Sequence, residues 1–189
     1  SPNQLAFFAL DGATSTAIYF HSDSTQSYDG LSWWCGDPQL SGYGDCWLQY
    51  LDLPMLTLSN TTIPTLSLIG RSALEDPTLL SPVLKIYDGW DGCNVWISTD
   101  GGIHFELAYP SHPAYNCQSL WSFGSPTLWD IGTGIAGWAG RSSGWVPIEF
   151  DLSAYKSDSV MIRFALASDE GVSAVTDPSL DGFLIDDIV

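Results

Sequence analysis

Basic side chains are scarce: the 189-residue chain has five lysines and arginines against 22 acidic residues, a formal net charge of −17. A field of that sign repels phosphate backbones and anionic lipid headgroups, which makes nucleic acid and membrane surfaces poor candidate partners. No stretch approaches the roughly 18 apolar residues of a membrane helix, and Ser1-Pro2-Asn3 does not open a signal peptide. A sustained apolar repeat at helical spacing is also missing, because 18 glycines and 11 prolines interrupt most windows that could carry one. Glutamate is limited to Glu75, Glu106, Glu149 and Glu170; the other acids are aspartates, which suit turns and metal loops better than helices. The three histidines, His21, His104 and His112, offer no H-E-x-x-H helix, which argues against a zinc protease within the chain. Cysteine is sparse and lacks C-x-x-C spacing, so Cys35, Cys46, Cys93 and Cys117 do not form a zinc knuckle. Three pairings are open to them. The expected one joins Cys35 to Cys46 and Cys93 to Cys117, each bridge contributing about 2–4 kcal/mol and implying an oxidising compartment.

What the chain does have is a series of strand-length runs. Alternating or apolar segments at 5–10, 16–20, 47–51, 65–69, 83–87, 94–98, 103–108, 145–151, 160–168 and 182–189 are separated by turn clusters. With 45% hydrophobic residues the chain can bury a substantial core. Many short strands with Gly and Pro turns read as an all-β fold, a two-sheet antiparallel β-sandwich of jelly-roll type, organised as a single domain over 1–189. The apolar run at 182–189 has no polar tail, as expected of a domain cut from a longer secreted protein. A glycosylation-type sequon, Asn60-Thr61-Thr62, lies in a polar turn.

The block from Tyr87 to Gly102 combines several of these signals. Asp88 and Asp91 sit on a glycine-punctuated turn, where side-chain and carbonyl oxygens can converge on one cation at roughly the 2.3–2.6 Å typical of calcium. Strand-like residues 94–98 follow. Thr99-Asp100-Gly101-Gly102 then supplies residues tolerant of positive φ, so the chain can turn back into 103–108.

Two further features invite a catalytic or binding reading. Gly140-Arg141-Ser142-Ser143-Gly144 matches the G-x-S-x-G nucleophile pattern, but a strand pattern broken by Pro147 follows it instead of the required helix. A glycosidase needs two carboxyl groups roughly 5–9.5 Å apart in a cleft, and no E-x-D-x-x-E strand is present, leaving an aspartate pair as the only route. The long irregular region 116–144 carries Trp121, Trp129 and Trp138. Those rings either cap the sandwich or stack on sugar.

The motif order carries a resemblance. It runs through Trp33-Trp34-Cys35-Gly36-Asp37, Leu51-Asp52-Leu53-Pro54-Met55-Leu56-Thr57-Leu58 and the 88–102 block. After these come Gly137-Trp138-Ala139-Gly140, Ser143-Gly144-Trp145-Val146, Phe150-Asp151-Leu152-Ser153-Ala154-Tyr155, Ile162-Arg163-Phe164, Asp177-Pro178 and Gly182-Phe183-Leu184-Ile185-Asp186-Asp187-Ile188. This resembles the MAM-like, concanavalin-type jelly-roll domain associated with secreted bacterial metallopeptidases of the immune inhibitor A group and with multidomain surface proteins. The likeness runs from about Trp33 to the end, and the domain start within residues 1–25 stays open. It implies a non-catalytic, calcium-binding β-sandwich, with Glu75, the pair Asp88 and Asp91, and the pair Asp186 and Asp187 as metal ligands. Adjacent strand residues face opposite sides, so only one of Asp186 and Asp187 can point at an ion through its side chain.

The expected function is an extracellular, secreted or cell-surface adhesion or structural module. Its partners would be a glycan or cell-surface protein, or further copies of itself joined through the terminal strands 5–10 and 182–189. The alternative is a carbohydrate-binding module using Trp121, Trp129 and Trp138.

Overall fold

The computed structural model describes residues 8–11, 17–60, 63–79, 86–156 and 158–189. Within these the strands are β1 (Phe8–Asp11), β2 (Phe20–Asp23), β3 (Ser32–Cys35), β4 (Leu48–Asp52), β5 (Leu56–Thr57), β6 (Thr65–Ala73), β7 (Gly92–Ser98), β8 (Glu106–Ala108), β9 (Val146–Asp151), β10 (Ser159–Ala167) and β11 (Gly182–Asp186), with one short helix, α1 (Trp121–Gly124). The first sheet runs β1-β4-β10-β7-β8, with β5 extending the β4 side of β10; the second runs β2-β3-β11-β6-β9. Every ladder between them is antiparallel. The chain crosses repeatedly from one sheet to the other, and only β2–β3 and β7–β8 are neighbours in both sequence and space. The expected two-sheet antiparallel sandwich is therefore the observed architecture.

Alternation decides which residues fill it. On β10, Val160, Ile162, Phe164 and Leu166 point into the sandwich, where they meet Leu66, Leu68, Phe150, Phe183 and Ile185 from the second sheet. Each such side chain contributes about 1.5–3 kcal/mol by leaving water. The opposite face of β10 carries Ala165 and Ala167, small enough for the irregular region after β8 to lie flat on them through Cys117, Leu120, Phe123 and Ala139. That region is pinned by pairing of Cys93 with Trp138 and of Cys117 with Gly137. Gly137 is required there, since a Cβ would sit 2.5 Å from Leu120 and 2.7 Å from the Cys93 carbonyl.

The 94–98 and 103–108 runs form the expected hairpin, with Val95 opposite Ala108 and Ile97 opposite Glu106. Its turn is built on Asp100, whose Oδ1 accepts from Ile103 N at 3.0 Å and His104 N at 2.9 Å, so the second strand begins only at Glu106. The last strand stops at Asp186 because Asp187 takes φ 47°, so the expected terminal strand 182–189 is shorter than its apolar run. Of the other expected runs, residues 5–7, 16 and 83–85 lie outside the described residues, as do Thr61 and Thr62 of the sequon.

The expected disulfides are not formed: all four cysteines are free thiols. Cys35 lies on β3 inside the sandwich, while Cys46 is exposed on a loop. Cys93 and Cys117 sit on neighbouring backbone segments but face opposite sides of the first sheet, Cys93 into the sandwich and Cys117 into the outer cluster. Their thiols donate elsewhere, to Trp138 O at 3.7 Å and Asp88 O at 3.3 Å. Burial pushes the Cys35 and Cys93 thiols up, keeping them protonated and unreactive. The inference of an oxidising compartment drawn from these cysteines loses its basis.

Candidate metal centre

Three strand ends from the two sheets meet at one edge of the sandwich, and each brings a carboxylate. Glu75 follows β6, Asp91 precedes β7 and Asp169 follows β10. All three are buried, and one oxygen from each lies within 4.8 Å of the others. The backbone holds this arrangement firmly. Asp91 Oδ1 accepts from Asp169 N at 2.7 Å, and Asp169 Oδ1 accepts from Gly171 N at 2.6 Å. Tyr43 donates its hydroxyl to Asp91 Oδ2 at 2.7 Å, and the Tyr43 hydroxyl oxygen in turn accepts from Glu75 N at 3.0 Å. Gly140 N, bonded to Glu75 O at 3.0 Å, ties the outer-cluster region to the same point.

The electrostatics are unbalanced. Burial, and then the charge of Asp169, push the Glu75 carboxyl up to about 7. Burial and Asp169 likewise raise Asp91, and burial with the charges of Glu170 and Asp45 raises Asp169. Among the described residues, Arg71, Arg141 and Arg163 are each engaged by another aspartate, so none of them neutralises this group. Glu75 Oε2 is buried without a hydrogen-bond partner, and so is Oδ1 of neighbouring Asp45. A buried carboxylate oxygen in that position costs free energy unless a proton or a cation satisfies it. The donor set is all hard oxygen, so these residues could hold a hard divalent cation.

Of the residues expected as ligands from sequence, Glu75 and Asp91 come together here and the rest do not. Asp88 is exposed and ties down the outer region, accepting from Gln118 N at 2.9 Å and Ser119 N at 2.8 Å. Asp186 is buried on the outer side of the second sheet, where Oδ2 accepts from Ser32 Oγ at 2.6 Å and Asp29 N at 3.0 Å. Asp187 is exposed at the strand end. The sequence reading missed Asp169. The signal was present in Ser168-Asp169-Glu170-Gly171, an acidic pair on a glycine turn directly after a strand.

The three tryptophans read as either caps on the sandwich or a sugar-stacking platform belong to separate packing sets. Trp138 packs against the sandwich core and donates its indole N–H to Ala114 O at 3.2 Å. Trp129 packs into the outer cluster, and Trp121 meets Tyr87 edge-on at 5.0 Å. Ser142 is built into the backbone, its hydroxyl bonded to Gly144 O at 2.7 Å and to the Ser72 amide at 3.0 Å.

No protein-family model matches the chain, and no curated protein does. Among solved structures it is similar to the cleaved adhesin domain of Lys-gingipain from Porphyromonas gingivalis, at 12% identity over 95% of this chain and 89% of that one, with a TM-score of 0.35. A likeness of that size transfers no residue role.

Proposed function

We propose that this chain is a non-catalytic adhesion or structural module working outside the cell, whose strand ends are clasped by a calcium ion bound to Glu75, Asp91 and Asp169. The observation that carries the reading is the buried trio of carboxylates with an orphaned Glu75 oxygen and no neutralising arginine. Calcium gathers about six to eight oxygens, so carbonyls and water would complete the shell. The ion supplies positive charge; the protein supplies rigid donors just beyond the ends of β6, β7 and β10. Fixing those ends holds the two sheets together at one edge, and that rigidity is what a module on a surface protein needs to present a partner-binding face. The resemblance in motif order, with Glu75 and Asp91 among its implied ligands, points the same way. Among the described residues no helix is long and apolar enough to cross a membrane.

Thermal melting in calcium and in excess chelator tests this. At about 100 times the dissociation constant a ligand adds roughly 2.7 kcal/mol, which for a chain of this size is a rise of about 5–10 °C. Equal melting temperatures in calcium and chelator would remove the site.

A further inference from the structure

The exposed aromatics of the described residues are tyrosines, and one of them stands over an organised polar group. Tyr28 is 53% exposed on the loop joining β2 and β3. Its ring lies 5.7 Å from that of Trp145, tilted by 57°. Trp145 is half-buried just before β9 and follows Gly144, whose φ of 85° turns the chain there. Arg71, on β6, places its guanidinium 5.5 Å from the indole centroid. Its Nη2 donates to Gln26 on the Tyr28 loop and to Asp181 just before β11. Four chain segments therefore meet at this point on the outer side of the second sheet.

The group is pre-ordered. Tyr28 N donates to Asp186 Oδ2 and to Ser32 Oγ, both at 3.1 Å, so a buried carboxylate of β11 anchors the loop that carries the ring. Cation–π contact and the Asp181 ion pair fix Arg71 beneath the indole. Among the described residues, the phenol of Tyr28 and the indole N–H of Trp145 have no hydrogen-bond partner.

We infer that Tyr28 and Trp145 form a binding surface for a neutral pyranose residue of a polysaccharide. The C–H face of a sugar ring matches a flat, half-wet aromatic, and its hydroxyls match the free phenol, the free indole N–H and the amide and carboxylate held by Arg71. Rigid aromatics lose little entropy on contact, which suits a shallow surface. The acidic field of a chain with a net charge of −17, in which Asp181 already neutralises Arg71, turns away sulfated and uronic sugars and leaves neutral ones. This goes beyond the adhesion reading by giving the module a partner, and it does not use the calcium ligands.

The test is retardation of the whole chain in native gels containing mannan, laminarin, galactan or hydroxyethylcellulose, run in calcium and again in chelator at a temperature where the protein stays folded. At least one polysaccharide should retard it in both conditions, so loss of the calcium reading leaves this result standing. Tyr28→Ala, at an exposed position, should weaken retardation by about tenfold, and Trp145→Phe by a smaller factor. Tyr109→Ala, removing a tyrosine 63% exposed elsewhere, should leave it unchanged. Absence of retardation by all four polymers would overturn the proposal. So would a folded Tyr28→Ala protein retarded as strongly as the wild type.

Discussion

Asp52 and Asp91 are both buried aspartates of the first sheet's neighbourhood, yet they meet opposite fates. Asp52 faces Arg163 across the β4–β10 ladder and takes a two-pronged ion pair at 2.7 and 2.8 Å. The guanidinium is itself sandwiched between Tyr50 at 4.2 Å and Phe105 at 3.8 Å. Asp91 has no such partner, and its neighbours are two more carboxylates. The first site is complete with the residues of the chain. The second is a frame of donors that requires something from solution.

The difference can be attacked from both sides. The largest effect is expected on the completed pair: Arg163→Met leaves Asp52 buried and unpaired, costing about 3 kcal/mol, and the loss should be the same in calcium and in chelator by denaturant titration. At the open site, Glu75→Gln and Asp169→Asn should abolish the calcium-dependent rise of about 5–10 °C. In chelator they should melt no lower than the wild type, because each removes a repulsive buried charge. A calcium response surviving in both variants would move the ion elsewhere.

The pH dependence follows from the raised carboxyls. Without calcium the folded chain holds a proton on Glu75 up to about pH 7, which the unfolded chain releases in the ordinary carboxyl range. Stability of the metal-free protein therefore falls as pH rises through that window. Calcium must displace the proton, so the melting difference between calcium and chelator should widen from about pH 5 to about pH 8. A gap that narrows over this range would contradict the assignment. The smallest effect is expected at Asp88: Asp88→Ala removes a loop tie and should lower melting by roughly 2–4 °C while leaving the calcium response intact.

Much of the sandwich was legible because strand alternation is local. The runs at 47–51, 65–69, 94–98 and 160–168 fold as strands within one to four residues of their expected limits. The site was half legible. Glu75 and Asp91 stand out as acids at strand ends, but Asp169 joins them only because β10 lies beside β7 while β6 sits in the facing sheet, and strand order is not written in any one segment. The cysteines misled for a related reason. Proximity along and across the backbone does not make a disulfide when the two side chains face opposite sides of a sheet. For the tryptophans both capping and sugar stacking stayed open in the sequence, because whether a loop ring packs inward depends on contacts made far along the chain: Trp138 packs against the sandwich core and Trp129 against the outer cluster.

Calorimetric titration of calcium into chelator-stripped protein, with Asp169→Asn and Asp88→Ala beside the wild type, bears most directly on the account. One saturable site in the wild type and in Asp88→Ala, lost in Asp169→Asn, is the expected result. Binding that vanishes with Asp88 and persists without Asp169 would contradict it.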